Sequence, residues 1–347
     1  MAYTTINKSG DYFNTKLYSG TGSAQDITGL DFQPDFNWIK RRNTTGSHRI
    51  QDAVRGSTKY LASNATDGEV DAGDVDAFLS NGFSLDSSST AYNASGSTYA
   101  SWNWKANGAG SANTDGSISS TVSANATSGF SIVKWTGTGA TGTIGHGLNT
   151  APSCIITKSF SAAEDWGMYH VGIGNTTNIS LNLTSAKYSA NSAFWNNTNP
   201  TSSLFTVGTH PTINYNTQTM IAYCFAEKTG YSKFGSYVGN GSSDGSFCYL
   251  GFKPAFVIAK DSSAVNNWRL FDNKRPEFNL TDKLLFPSLS DAESVNVSGG
   301  GAIDILSNGF KIRSSANGLN ASGATYIYMA FAEAPLVGTN NVPCTAR

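Results

Sequence analysis

Charge is what this sequence has least of. Among its 347 residues are 23 Lys or Arg and 24 Asp or Glu, a charged fraction of 14% and a net charge of -1. An ordinary globular domain carries about 25%. A charge this scarce and this balanced is not the basic footprint of a nucleic-acid binder, nor the polybasic face of a membrane-surface protein. Apolar runs are short as well. None approaches 18 residues, so no membrane-spanning helix is predicted. The start, Met1 to Lys8, has no apolar core behind a basic head, and no secretory leader is expected. Cys154, Cys224, Cys248 and Cys344 are far apart and form no Cys-x-x-Cys, which predicts buried reduced thiols and no disulfide framework. His48, His146, His170 and His210 include no closely spaced pair, so no metal site is expected.

What is present is hydroxyl, amide and ring. About a third of the chain is Ser, Thr, Asn and Gln. Seven Trp, 15 Tyr and 19 Phe are enough to fill a sizeable core, so disorder is not expected.

The chain also repeats. Pro34, Pro152 and Pro254 anchor three copies of one frame. Upstream of each stands an aromatic-x-Gly-x-Gly, starting at Tyr18, Trp135 and Tyr237. Six residues on comes Lys40, Lys158 or Lys260, and fourteen on comes a ring, His48, Trp166 or Trp268. A further Phe (Phe83, Phe205, Phe310) precedes a closing apolar run that begins at Thr98, Thr219 or Thr325. In those runs the alternate positions Ala100/Trp102/Trp104, Ile221/Tyr223/Phe225 and Ile327/Met329/Phe331 make one large apolar face, while the intervening positions are mostly small. Period two and β-branched or aromatic content read as strands, and helical periodicity is nearly absent. The expected fold is all-β, with three tandem β-sandwich units of jelly-roll or concanavalin-like type. The boundaries are 1–106, a Gly/Ser/Asn-rich linker at 107–129, 130–229, and 230–347 with a C-terminal tail. The composition of 107–129 suggests that the first unit is hinged and that the other two pack rigidly.

Candidate chemistry is sparse. The glycine pairs lack the following helix that a phosphate loop needs, and read as turn glycines. Asp67, Glu69, Asp71, Asp74 and Asp76 form the densest acidic run; it matches no EF-hand spacing and reads as a solvated loop. Asp52-x-x-Arg55 and Asp272-x-x-Arg275 recur, with Arg49 and Arg269 just before them, whereas the second unit has His170 in place of the Asp and no arginine. A loop-fixing ion pair is the simpler reading, since a catalytic carboxylate pair needs two acids at a set separation. Rings among amides and hydroxyls suit a sugar, which makes Trp166, Trp268, Arg269 and Trp195 the candidate ligand-binding residues. No catalytic residue, metal or cofactor is expected.

The runs Gly29-Leu-Asp-Phe-Gln-Pro-Asp-Phe-Asn-Trp-Ile-Lys, Gly145-His-Gly-Leu-Asn-Thr-Ala-Pro, Ala222-Tyr-Cys-Phe-Ala-Glu and Leu306-Ser-Asn-Gly-Phe-Lys-Ile-Arg resemble a repeat domain of unknown function from virion proteins of marine tailed bacteriophages. The likeness runs from about Tyr12 to Pro335. It implies a non-enzymatic virion protein, assembled in the host cytoplasm and carried on the outer surface of tail or head. The implied role is a tail fibre or host-attachment component that forms homo-oligomers, contacts other virion proteins and binds a host surface glycan. The alternative is a head fibre, capsid decoration or tail-surface protein with a purely assembly role; a polysaccharide-degrading enzyme ranks below both.

Overall fold

The computed structural model describes residues 3–87, 89–295, 301–338 and 343–345. The tail expected beyond Pro335 therefore lies partly outside the described residues. The chain is all-β: its only described helices are three of four residues each and one short 3-10 turn, as the near absence of helical periodicity predicts.

Three large antiparallel sheets follow the repeat frame. In each, an opening strand pairs with the closing strand, which pairs with the strand at the anchor proline, which pairs with the strand carrying the Asp/His position. The opening strands are Phe13–Ser19, Phe130–Thr136 and Ser232–Val238, and the closing strands Thr98–Trp104, Thr219–Phe225 and Thr325–Pro335. The anchor strands are Phe36–Arg41, Cys154–Ser159 and Phe252–Asp261, followed by Arg49–Asp52, Gly167–His170 and Arg269–Asp272. A smaller sheet covers one face of each. These pair Gln25–Thr28 with Gly82–Leu85, Gly142–Gly145 with Leu204–Val207, and Phe247–Tyr249 with Gly309–Ile312. Between large and small sheet lies a separate core for each stretch, holding Phe83, Phe205 or Phe310. The small face of each closing strand turns toward it, as Ala222 and Cys224 do in the second stretch.

The bulky face of the closing strand turns the other way. Trp102, Trp104, Tyr223, Phe225, Met329 and Phe331 belong to one buried cluster shared by all three stretches. Three equivalent rings close a triangle there: Trp104 to Phe225 is 6.3 Å, Trp104 to Phe331 5.3 Å, and Phe225 to Phe331 5.7 Å between centroids. The three large sheets are thus arranged about a pseudo-threefold axis, each presenting its aromatic face to the other two. Burial of rings on this scale removes apolar area from water at about 25 cal/mol per Å², and here that area is shared among stretches.

Two expectations change accordingly. The first stretch is not hinged, because Phe36, Trp38, Trp102 and Trp104 sit in the common cluster. Nor is 107–129 a free linker. Ser111–Asn113 and Ser120–Asn125 are strands that extend the second large sheet, with Val122 against Val133. Small polar residues make good edge strands as readily as linkers, and composition alone does not separate the two.

Candidate functional site

The residues that recur three times are those that hold this assembly together, and they act at two places. The first is the turn after each opening strand. The leading glycines are required by space, since a Cβ on Gly20, Gly137 or Gly239 would lie 2.2, 2.0 or 2.2 Å from a backbone oxygen. Gly22, Gly139 and Gly241 follow with φ of +72°, +64° and +72°, where other residues are strained. One buried asparagine pins each turn. Asn93, Asn214 and Asn320 accept on Oδ1 from the backbone N–H of Thr21, Thr138 and Asn240 at 2.9, 3.0 and 2.9 Å. Their Nδ2 groups donate to the carbonyls of Ser23, Ala140 and Ser242 at 2.7, 2.8 and 2.7 Å. Trp135 Nε1 donates to Asn214 as well, at 3.3 Å. Asn214→Ala leaves the buried indole N–H of Trp135 and the part-buried backbone N–H of Thr138 without an acceptor and is expected to cost about 1–3 kcal/mol. Urea denaturation reads this directly, and a loss below about 0.5 kcal/mol would show that water substitutes for the amide.

The second place is the seam between stretches. Lys40, Lys158 and Lys260 are fully buried. Lys40 Nζ donates to the carbonyl of Ser290 in the third stretch at 3.2 Å, Lys158 to that of Thr66 in the first at 2.8 Å, and Lys260 to that of Thr184 in the second at 3.2 Å. The rings fourteen residues past each proline follow the same rotation. Trp166 Nε1 donates to the Ala62 carbonyl at 2.9 Å and Trp268 Nε1 to that of Ser180 at 3.0 Å. His48 accepts from Trp38 Nε1 at 2.9 Å and faces the backbone of Phe286.

The Asp/Arg motif completes the seam and explains why the second stretch departs from it. Asp52 and Arg55 form a fully buried ion pair at 2.6 Å, and so do Asp272 and Arg275. Burial alone would raise the Asp272 carboxyl, yet Arg275 holds it below the ordinary carboxylate value. Each aspartate also accepts from the closing strand of the next stretch: Tyr223 Oη donates to Asp52 at 2.7 Å, and Trp102 Nε1 to Asp272 at 3.0 Å. The equivalent closing residue of the third stretch is Met329, which has no proton to donate. The stretch it faces is the second, where His170 stands at the aspartate's place and Ile173 at the arginine's. His170 Nε2 bonds instead to the Tyr328 carbonyl at 3.0 Å. A buried carboxylate is present where the neighbouring strand supplies a donor, and absent where it does not.

The four residues singled out as sugar ligands are inside the protein. Trp166, Trp195 and Trp268 are each 2% exposed or less, and Arg269 is 7% exposed. Trp195 packs edge-on against Tyr169 at 5.8 Å, and Arg269 Nη1 donates to the Gly318 carbonyl at 2.6 Å. The structure does not bring them together, and no ring face among them is open for stacking. In the acidic run, Glu69 pairs with Arg55 at 3.1 Å and Lys59 at 3.3 Å, and Asp74 approaches Arg49 at 3.8 Å. Among the described residues no group of three His, Cys, Asp or Glu is placed to hold a metal, and no helix is long and apolar enough to cross a membrane. The pinning asparagines went unnoticed in the sequence, although each stands five residues before the closing Thr.

The family described as "Domain of unknown function (DUF7483)" matches residues 8–335, a span that takes in all three stretches and the three seams between them. The chain belongs to this family. No curated protein and no solved structure matches it.

The buried histidines of this DUF7483 chain make its stability sensitive to acid. Burial holds all four histidines below the ordinary 6.5, with His170 at about 4. An unfolded chain takes up these protons near pH 6.5, while the folded chain resists them. Stability is therefore present above about 6.5 and lost as pH falls toward 4. The gap for His170 alone corresponds to roughly 3 kcal/mol. Urea midpoints at pH 7.5, 6 and 4.5 should fall in that order, with His170→Asn flattening the slope. A midpoint constant across this range would contradict the burial of the imidazoles.

Proposed function

We propose that the chain is a non-enzymatic structural protein of a tailed-phage virion, carried on the outer surface as a tail fibre or similar host-attachment component. The observation that supports it best is where the repeated polar residues point. Lysine, asparagine, ring and Asp/Arg positions are all engaged inside the protein, in turns or between stretches. Repetition in this chain serves a rigid three-lobed body, which is what an external particle component needs. The virion context rests on the resemblance of the repeat runs, and attachment to a surface glycan on the hydroxyl- and amide-rich exterior.

A purely assembly role, as head fibre, decoration or tail-surface protein, is the second reading. Burial of Trp166, Trp195, Trp268 and Arg269 favours it, because it removes the residues first expected to meet a sugar. Labelling intact virions with antibody against the chain separates the two. Tail labelling, with competition by the purified protein for adsorption to host cells, is the expected result. Head labelling without competition at saturating concentration would leave the assembly role. New reducing ends after incubation with host polysaccharide would overturn the non-enzymatic reading.

A further inference from the structure

The three small sheets are built alike, which lets each stretch serve as a control for the others. Their edge strands align through the residue opposite the repeated Phe: Ile27 faces Phe83, Ile144 faces Phe205 and Cys248 faces Phe310. The residues on either side of that position face away from the core in the first and third stretches, whereas in the second Gly145 is buried against Asn113 and Ser117 N–H donates to Thr143 Oγ1 at 3.0 Å. They are Asp26 and Thr28 in the first stretch, Thr143 and Gly145 in the second, and Phe247 and Tyr249 in the third. Phe247 is 46% exposed and Tyr249 51%, while Cys248 between them is buried. The fold does not require aromatics here, since two of its three copies do without them. Phe278, at 71%, and Tyr3, at 38%, are the other exposed rings among the described residues; two rings half-open to water at alternate positions of one strand call for a different explanation.

We infer that Phe247 and Tyr249 form the platform of a saccharide-binding site on the outer face of the third small sheet. This rests on the attachment reading above and locates it. Alternate residues on a strand stand about 7 Å apart, so the two rings offer consecutive apolar faces along one line, as a run of sugar rings would need. The next strand supplies the polar border. Lys311 lies opposite Phe247 and pairs with Asp244 at 2.7 Å, and Arg313 reaches Asp304 at 3.5 Å and Asp244 at 3.8 Å. Opposite Tyr249 is Gly309, whose lack of a side chain keeps the floor low beside the rings. Tyr3 stands beside Tyr249 and donates to the Gly251 carbonyl at 2.8 Å. Charges of both signs, already paired with each other, do not attract an ion of either sign. They do offer fixed donors and acceptors to neutral hydroxyls. A second copy of the chain is a poorer fit, because a three-residue edge strand gives few main-chain bonds to another strand.

The test uses the full chain with Phe247→Ala and Tyr249→Ala combined; both side chains are exposed, and an unchanged urea midpoint verifies the fold. Asp26→Ala with Thr28→Ala serves as the matched control in the first stretch. The probe is an array of immobilised neutral oligosaccharides, capsular polysaccharides and lipopolysaccharide O-chains, alongside competition for adsorption to host cells. The expected result is binding of the wild type and the control to a neutral glycan, with the aromatic double variant weakened by at least about tenfold. Equal binding by the double variant would overturn this site and leave glycan attachment standing. Array binding that depends on the two rings without any adsorption competition would support the site and count against the attachment role. Failure of the wild type to bind any glycan would overturn the site. Self-association abolished by the double variant would replace the saccharide with a second copy.

Discussion

Trp104→Ala should destabilise the whole molecule by about 3–5 kcal/mol, the range for removing a fully buried large ring, and should do so without splitting the unfolding transition. Trp104 is 1% exposed. Besides Phe225 and Phe331 it packs on Phe13 at 4.7 Å, Phe36 at 5.3 Å and Phe256 at 5.4 Å, so its contacts lie in all three stretches. A chain of independent β-sandwiches would lose only its first unit and would show two transitions in calorimetry. A chain with one shared core should show a single endotherm, with calorimetric and van't Hoff enthalpies equal, moved as a block to lower temperature. Trp104→Phe is expected to be far milder. Phenylalanine already occupies the other two corners of the triangle, and the substitution removes a buried indole N–H that has no acceptor. Separate melting of the first stretch in Trp104→Ala would sink the shared-core account.

The buried ion pair gives the second large effect, and it carries its own rescue. Arg55→Ile leaves the Asp52 carboxylate buried with Tyr223 as its one remaining side-chain donor, and removes the Arg55 bond to the Ile50 carbonyl at 2.9 Å. Breaking one partner of a buried pair typically costs 3–5 kcal/mol, and a loss of about that size is expected. The second stretch shows an arrangement that works without charge. Importing it as Asp52→His, Arg55→Ile and Tyr223→Met together reproduces the set His170, Ile173 and Met329. The triple variant should be more stable than Arg55→Ile alone, by at least about 1 kcal/mol if the uncompensated carboxylate is the main penalty. Additive losses across the three substitutions would show instead that the seam depends on charge.

Much of the fold was legible because repetition is a strong signal. The fixed offsets from Pro34, Pro152 and Pro254 located the strands, and period two in Trp102/Trp104, Tyr223/Phe225 and Met329/Phe331 identified a bulky face. Periodicity says which residues share a face and says nothing of what that face meets. A β-sandwich standing alone would turn that bulky side to its own core, whereas here it packs against the other stretches and the small side does the internal work. The candidate site was less legible for a related reason. In a chain this poor in bulky aliphatics, tryptophan is the residue that fills space. Trp166, Trp195 and Trp268 stood out from polar surroundings in sequence and are interior in three dimensions. Phe247 and Tyr249 carry no such signal in the sequence, since exposure at an edge is set by sheet order. Only comparison of the three small sheets distinguishes them.

Fusing three lobes into one polypeptide has a consequence for valency. A ring of three identical chains would display every surface feature three times, and no lobe could change without the others. Here the closing strands place Trp104, Phe225 and Phe331 around one axis, yet the outer faces have diverged and the aromatic edge is found in one stretch. On the attachment reading proposed above, each molecule would engage a surface singly, and any avidity would come from the number of molecules displayed and their spacing. Halving the display density would weaken multivalent attachment steeply, while the affinity of an isolated molecule would stay the same.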